Sequence, residues 1–168
     1  AQRMLQIAVV NTDRLIRLIN DILDLERIES GRMELVRRDT SAYDLMVEAV
    51  EGVQAMAVQA GVTIKVEKVD AQLWVDRDRV IQTITNLVSN AVKFSPRGEQ
   101  ITVSGAISDG QFTFRVADRG RGIPANKLEA IFERFHQVDA SDSRDKGGSG
   151  LGLAISRSIV AAHHGRIW

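Results

Sequence analysis

Between Arg77 and Lys93 apolar and polar residues recur at helical spacing, and that pattern dictates which side of the helix has to be covered. With an advance of roughly 100° per residue, Val80, Ile84, Leu87, Val88 and Ala91 gather on one side. Gln82, Asn86, Ser89, Asn90 and Lys93 gather on the other. Such a helix must lay one face on a core and leave the second open. Asn is a poor helix-interior residue, costing roughly half a kcal/mol against Ala. Two of them at i and i+4, with Lys at i+7, suggest a face prepared for a ligand; a solvated polar face is the plain alternative.

Composition narrows the field. The 168 residues are 44% hydrophobic and 26% charged, values of a globular chain, and this length allows one ordinary domain plus an appendage. The 22 basic and 22 acidic side chains cancel, so there is no electrostatic case for nucleic acid or an anionic membrane as the main partner. With no cysteine, disulfides, CxxC redox chemistry and thiolate zinc sites are excluded. No apolar run approaches the ~18 residues of a membrane span, and no signal peptide opens the chain. The chain starts inside a helical pattern and stops at Arg166-Ile-Trp168, which reads like the start of a strand. The expectation is a cytoplasmic fragment of a longer protein, with membrane tethering of that parent left open.

Residues 1–30 read as one long amphipathic helix. Met4, Ala8, Asn11, Leu15, Leu18, Ile22 and Leu25 follow alternating steps of four and three, a heptad seam. Ile16, Ile19 and Leu23 widen it, which suits a helical bundle and self-association; a core helix of the following domain is the alternative. Ser30-Gly31 ends the helix. A strand over Met33–Val36 follows, then a helix from Tyr43 to about Gln59 opened by Asp39-Thr-Ser-Ala, with Ser41 and Asp44 spaced as a capping box. Strands are expected over 62–67 and 73–75, with Asp76 capping the Arg77–Lys93 helix. Ile101–Ile107 and Gln111–Ala117 form a hairpin across Asp109-Gly110. After Asp118 come about thirty residues rich in Gly, Asp, Ser and Arg with one short apolar helix at Leu128–Phe132; a stretch of that length is usually a lid or binding loop. Leu151–His163 is the last helix. The expected class is α+β: a two-layer α/β sandwich with helices on one face of a mixed, mostly antiparallel sheet.

Two glycine clusters bracket the expected lid. Asp118-Arg-Gly120-Arg-Gly122-Ile123 follows a strand, and Gly147-Gly-Ser-Gly150-Leu-Gly152-Leu153 precedes a helix. Glycines permit positive φ and close backbone approach, and a helix N-terminus favours an anion such as phosphate. The P-loop and protein-kinase patterns are absent. Gly120-x-Gly122-x-x-Ala125 matches a degenerate dinucleotide fingerprint, but Pro124 interrupts it and no βαβ unit surrounds it.

Together these segments resemble the ATP-binding domain of sensor histidine kinases, within the GHKL (Bergerat-type) family that includes gyrase, heat-shock chaperone and MutL-type ATPases. Asn86-Leu-Val-Ser-Asn90-Ala-Val-Lys93-Phe94 resembles the N box, Asp118–Ile123 the first glycine box, Ile131-Phe-Glu-Arg-Phe135 the F box, and Gly147–Ile155 the second glycine box. The resemblance implies ATP and Mg²⁺ as cofactors, with Asn90 coordinating the metal and Asn86 close to the same site. It implies Lys93 on a phosphate and Asp118 accepting the adenine amino hydrogen. Gly120, Gly122, Ile123 and Phe94 would enclose the base. Gly148, Ser149, Gly150, Leu151 and Gly152 would fold the lid hinge against the phosphates, and Phe132 and Phe135 would anchor the lid.

Two departures stand out. Many members carry Arg at the position of Gln137, so Arg144, Lys146 or Arg134 would have to replace its charge. The family transfers phosphate to a His in an H-E-x-R-T-P-like segment, and His136, His163 and His164 all lack that context. Residues 1–31 resemble the second helix of a dimerisation hairpin, and 32–168 the catalytic domain without its last strand. The resemblance implies a protein-histidine kinase module that hands its phosphoryl group on to a response-regulator receiver domain. Since the acceptor His and its neighbouring acid are missing, no catalytic residue is assigned and autophosphorylation of this chain is not expected. A non-catalytic nucleotide-binding or dimerisation domain, and another GHKL ATPase or serine kinase, are the rival expectations.

Overall fold

The computed structural model describes residues 2–30, 34–135 and 149–168. Helix α1 spans Gln2–Glu29, and Ser30 closes its last turn by donating to the Glu26 carbonyl. Strand β1 (Arg37–Ser41) leads into α2 (Ala42–Glu51) and α3 (Gln54–Ala60). Strands β2 (Thr63–Val66) and β3 (Gln72–Asp76) precede α4 (Arg77–Phe94). The β4 (Gln100–Ser108) and β5 (Gln111–Ala117) hairpin follows, then two 3-10 turns at Ala125–Lys127 and Ala130–Phe132, and α5 (Gly152–Ala162).

Among the described residues the strands form two pieces. β1 pairs antiparallel with β3; β2 runs parallel to β4, which pairs antiparallel with β5. Asp109 and Gly110 close the hairpin with φ of 53° and 73°, the left-handed pair that a two-residue turn matched to strand twist requires. One apolar layer lies between helices and strands: Leu45, Met46 and Ala49 of α2, Ile84 and Val88 of α4, and Val103 of β4. Ala57, Val62, Ala91, Val92 and Ile101 extend it. This is the expected α/β sandwich.

Four local expectations need correction. The strand after α1 is Arg37–Ser41, not Met33–Val36. Val36 is exposed, and the strand is held by pairing with β3 rather than by apolar alternation. Ser41 does cap a helix, accepting from the Asp44 amide at 3.2 Å, but that helix breaks at Gly52-Val53. Interior Gly costs about 1 kcal/mol against Ala, and the break lets Val53 turn into the core. The apolar stretch at Leu128–Phe132 forms only short 3-10 turns, with Pro124 starting the first. Arg166–Trp168 forms no strand; the Arg166 guanidinium lies over the Trp168 ring.

The seam of α1 departs from expectation at its C-terminal end. Met4, Leu15, Ile16, Ile19, Ile22 and Leu23 are half or more exposed. Leu25 is buried against Leu151, Ile155 and Ile159 of the α5 region. The end of α1 therefore has a partner within the chain. Asp24 fixes it there: Arg79 Nη1 donates to Asp24 Oδ1 and Gln82 Nε2 to Asp24 Oδ2, both at 2.7 Å. The Asp24 side chain is only 9% exposed, and a carboxylate at that depth needs such partners.

Candidate functional site

Helix α4 is the floor of the site. Asp76 caps it, accepting from the Arg79 amide through Oδ1 and from the Val36 amide through Oδ2. His163, just past α5, accepts the Asp76 N–H on Nε2 at 3.0 Å, so its proton sits on Nδ1, which donates to the Ile159 carbonyl at 2.8 Å. The start of α4 and the end of α5 are thereby tied together, and Arg37 covers the Ala162 carbonyl at 2.8 Å.

The apolar side of α4 enters the core through Ile84, Val88, Ala91 and Val92. Its polar side is half-buried and is used in steps of one turn. Gln82 bonds Asp24 of α1. Asn86 Nδ2 donates to Ser156 Oγ of α5 at 3.0 Å. Asn90, one turn further, has no hydrogen-bond partner for its carboxamide among the described residues. Ser89 turns back, donating to the Asn86 carbonyl. Lys93 lies at the last turn, next to Phe94.

The two glycine segments close on this helix at different turns. A Cβ at Gly120 would stand 2.9 Å from the Phe94 carbonyl oxygen, so the first segment can abut the end of α4 only without a side chain. The Gly120 amide donates to Asp118 Oδ1 at 2.6 Å, and Asp118 is exposed. Gly122 has φ of 70°, Ile123 is exposed, and the Arg121 guanidinium lies 5.1 Å from the centre of the Phe94 ring. The second segment meets α4 a turn and more earlier. A Cβ at Gly152 would overlap the Asn86 carboxamide, with Asn86 Cγ at 2.8 Å and Nδ2 at 2.9 Å. That glycine admits a protein side chain, a demand that the cluster pattern alone did not reveal. Asn90 is thus left between the two glycine segments.

Around the hinge, Gly150 adopts φ of 70° and its carbonyl accepts the Phe135 amide at 3.0 Å. The chain at 135 and the chain at 150 therefore meet. Ser149 Oγ donates to Asp21 Oδ2 of α1 at 2.9 Å and accepts the Leu151 amide at 3.2 Å. Leu151 is fully buried. Phe132 is half-buried with Arg157 over its ring, whereas Phe135 is 69% exposed; of the two expected anchors only Phe132 is packed. His136, Gln137, Arg144, Lys146, Gly147 and Gly148 lie outside the described residues. Among the described residues no three His, Cys, Asp or Glu side chains converge as a metal cluster, and no helix is long and apolar enough to cross a membrane. A shallow depression lined by Leu35, Arg37, Trp74, Ala162 and His164 contains none of the expected site residues.

Sequence reading missed Asp21, Asp24, Arg79 and Ser156. The last left a trace: it is a polar residue within the apolar run Leu151–Val160.

A helix laid on a mixed sheet, with glycine segments closing over its polar side, defines a class. Residues 75–168 match the histidine kinase-, DNA gyrase B- and HSP90-like ATPase family, and the chain belongs to it. Within that family the proteins it resembles are sensor histidine kinases. The sensor protein kinase WalK of Staphylococcus haemolyticus is 35% identical over 174 residues, covering 100% of this chain and 28% of that protein. The sensor histidine kinase WalK of Bacillus subtilis is 34% identical over 171 residues, with the same coverage of 100% and 28%. The chain therefore spans about 28% of the length of these curated relatives. Full-length ShkA, solved in complex with AMPPNP, superposes with a TM-score of 0.77 at 31% identity, over 89% of this chain and 31% of that one. The Acinetobacter baumannii histidine kinase AdeS shares the fold, with a TM-score of 0.75 at 21% identity over 92% of this chain and 70% of that one.

Proposed function

We propose that the chain is the nucleotide-binding, phosphoryl-donating module of its parent kinase, with residues 1–31 as the second helix of a dimerisation hairpin and 32–168 as the catalytic domain. The observation that carries the reading is the sequence of commitments along α4. Gln82 is engaged by α1 and Asn86 by α5, while Asn90 stays without a partner among the described residues, between two glycine segments.

A half-buried carboxamide in that position fits Mg²⁺, a hard cation that takes one or two protein oxygens and completes its shell with phosphate oxygens and water. Asn90 would hold it, with Asn86 beside it; bound Mg²⁺ would neutralise phosphate charge. Lys93 would pair with a phosphate. The second carboxylate oxygen of Asp118 would accept from the adenine amine, which a carboxylate can do for adenine but not for the carbonyl of guanine. Phe94, Gly120, Gly122 and Ile123 would enclose the base. Gly148, Ser149, Gly150, Leu151 and Gly152 would line the phosphates, and Phe132 would anchor the lid. Arg144 or Lys146 would supply the charge that Gln137 lacks.

Phosphoryl transfer depends mainly on positioning and charge neutralisation, and these residues would provide both for a donor. The acceptor would come from outside this sequence. His163 has both ring nitrogens committed to backbone groups. The receiving histidine would then pass the group to a receiver-domain aspartate, and the exposed stripe of α1 would pair with a second copy.

Calorimetric titration with ATP and GTP in Mg²⁺ tests this. ATP should bind at least about tenfold tighter than GTP, since a lost or repulsive base contact is worth more than a kcal/mol. Asp118→Ala should abolish the preference. Equal affinities in the unaltered chain would contradict the assignment.

A further inference from the structure

Ser156 is 1% exposed and polar, in a helix that otherwise buries Ala154, Ile155 and Ile159. Its hydroxyl accepts from Asn86 Nδ2 at 3.0 Å. The same carboxamide lies over Gly152, its oxygen being the atom nearest to the position a Cβ would take. Gly152 and Ser156 are one turn apart on α5. The Asn86 carboxamide is therefore held by α5 at both ends: its NH₂ bonds Ser156, and its oxygen sits closest to Gly152 at the start of α5, where the glycine hinge arrives.

The sense matters because the two ends differ chemically. An amide oxygen can accept from a donor or approach a cation, and the NH₂ can do neither. A carboxamide free to turn over would present the wrong end part of the time. A serine hydroxyl can accept from the amide NH₂ or donate to the amide oxygen, so the sense is set by Ser156 together with Gly152, whose Cα–H is a weak donor that suits only the oxygen. Any other residue at 152 would displace the amide altogether.

We propose that Ser156 is a positioning residue: with Gly152 it holds the Asn86 carboxamide so that its oxygen faces the phosphate and Mg²⁺ side of the site. This rests on the nucleotide reading above. It adds that α5 is coupled to α4 through the orientation of one amide, which packing between two helices does not by itself require.

The test is titration of the full chain with ATP, in Mg²⁺ and in EDTA, for the unaltered protein, Ser156→Ala, Ser156→Thr and Ser156→Cys, with thermal unfolding followed for each. A single hydrogen bond shifts an equilibrium by roughly two- to tenfold. Ser156→Ala should weaken Mg-ATP by about fivefold and leave metal-free ATP within about twofold. Ser156→Thr, which keeps the acceptor, should retain the unaltered protein's ratio of Mg-ATP to metal-free affinity although its buried methyl group lowers the melting temperature. Ser156→Cys, of similar size but a poor acceptor, should resemble Ala and guards against a packing defect in either single variant. Equal loss in Mg²⁺ and EDTA, or no loss in either, would overturn the positioning role while leaving the nucleotide reading intact. Failure of the unaltered chain to bind ATP in either condition would remove both.

Discussion

Gly152→Ala should destabilise the domain although alanine is the better helix former. No positive φ is involved, so the backbone tolerates the new residue, and helix propensity alone would favour it by up to about 1 kcal/mol. The added methyl group, however, overlaps the Asn86 oxygen and stands 2.8 Å from Asn86 Cγ and 2.9 Å from Nδ2. Overpacking in a well-packed region costs about 1–3 kcal/mol. Expelling the carboxamide also forfeits its bond to Ser156, worth about 1 kcal/mol. The net expectation is a loss of about 1–3 kcal/mol, read as a lower urea midpoint at unchanged slope. Asn86→Ala in the same chain should recover most of that loss by vacating the space, so the double-mutant cycle should show strong coupling. If Gly152→Ala is as stable as the unaltered protein, or more so, the contact between α4 and the second glycine segment is not as described.

Other perturbations follow from the same structure. Asp24→Ala removes the acceptor for both Arg79 and Gln82; leaving a part-buried guanidinium short of its counter-charge should cost about 2–3 kcal/mol. Hydrogen exchange should show protection lost at the end of α1 while β4 and β5 are unchanged; uniform loss across the domain would argue against a local clasp. His163→Ala leaves the Asp76 amide without its acceptor and should cost about 1–3 kcal/mol in chemical denaturation; a change below about 0.5 kcal/mol would show that His163 is not a tie between α4 and α5. His164 has φ of 60°, so His164→Gly should raise stability by about 0.5–1 kcal/mol as left-handed strain is relieved against a more flexible unfolded chain, and a lower melting temperature would contradict that.

Helical periodicity carried most of the α4 assignment. Apolar and polar faces separate at 3.6 residues per turn, and the structure buries Ile84, Val88 and Ala91 as that spacing demands. The Asp109-Gly110 turn was equally plain, because few residues adopt two successive positive φ values. Strand β1 was not legible. Arg37-Arg-Asp-Thr-Ser41 has no apolar alternation, and only pairing with Gln72–Asp76 makes it a strand. The Gly52 break was hidden for the opposite reason: the apolar period continues through it, and tertiary burial of Val53 overrides helical continuity. For the site, the glycine clusters gave positions but not purposes. Gly120 answers to the Phe94 carbonyl and Gly152 to the Asn86 side chain, contacts of residues far apart in sequence. The docking of Asp21 and Asp24 was invisible likewise, since a charged residue on a heptad helix reads as solvated until the fold supplies Arg79, Gln82 and Ser149.

In the proposed function the turn of α4 that carries Asn90 receives the metal-bearing end of a nucleotide. Calorimetric titration of the chain with Mg-ATP, beside Asn90→Ala, tests it most directly. Binding should be saturable and one-to-one, and Asn90→Ala should weaken it by at least about tenfold in Mg²⁺, with the unfolding midpoint of the free protein little changed because the Asn90 carboxamide makes no hydrogen bond among the described residues. No measurable binding at millimolar Mg-ATP, or an Asn90→Ala variant that binds as tightly as the unaltered chain, would contradict it.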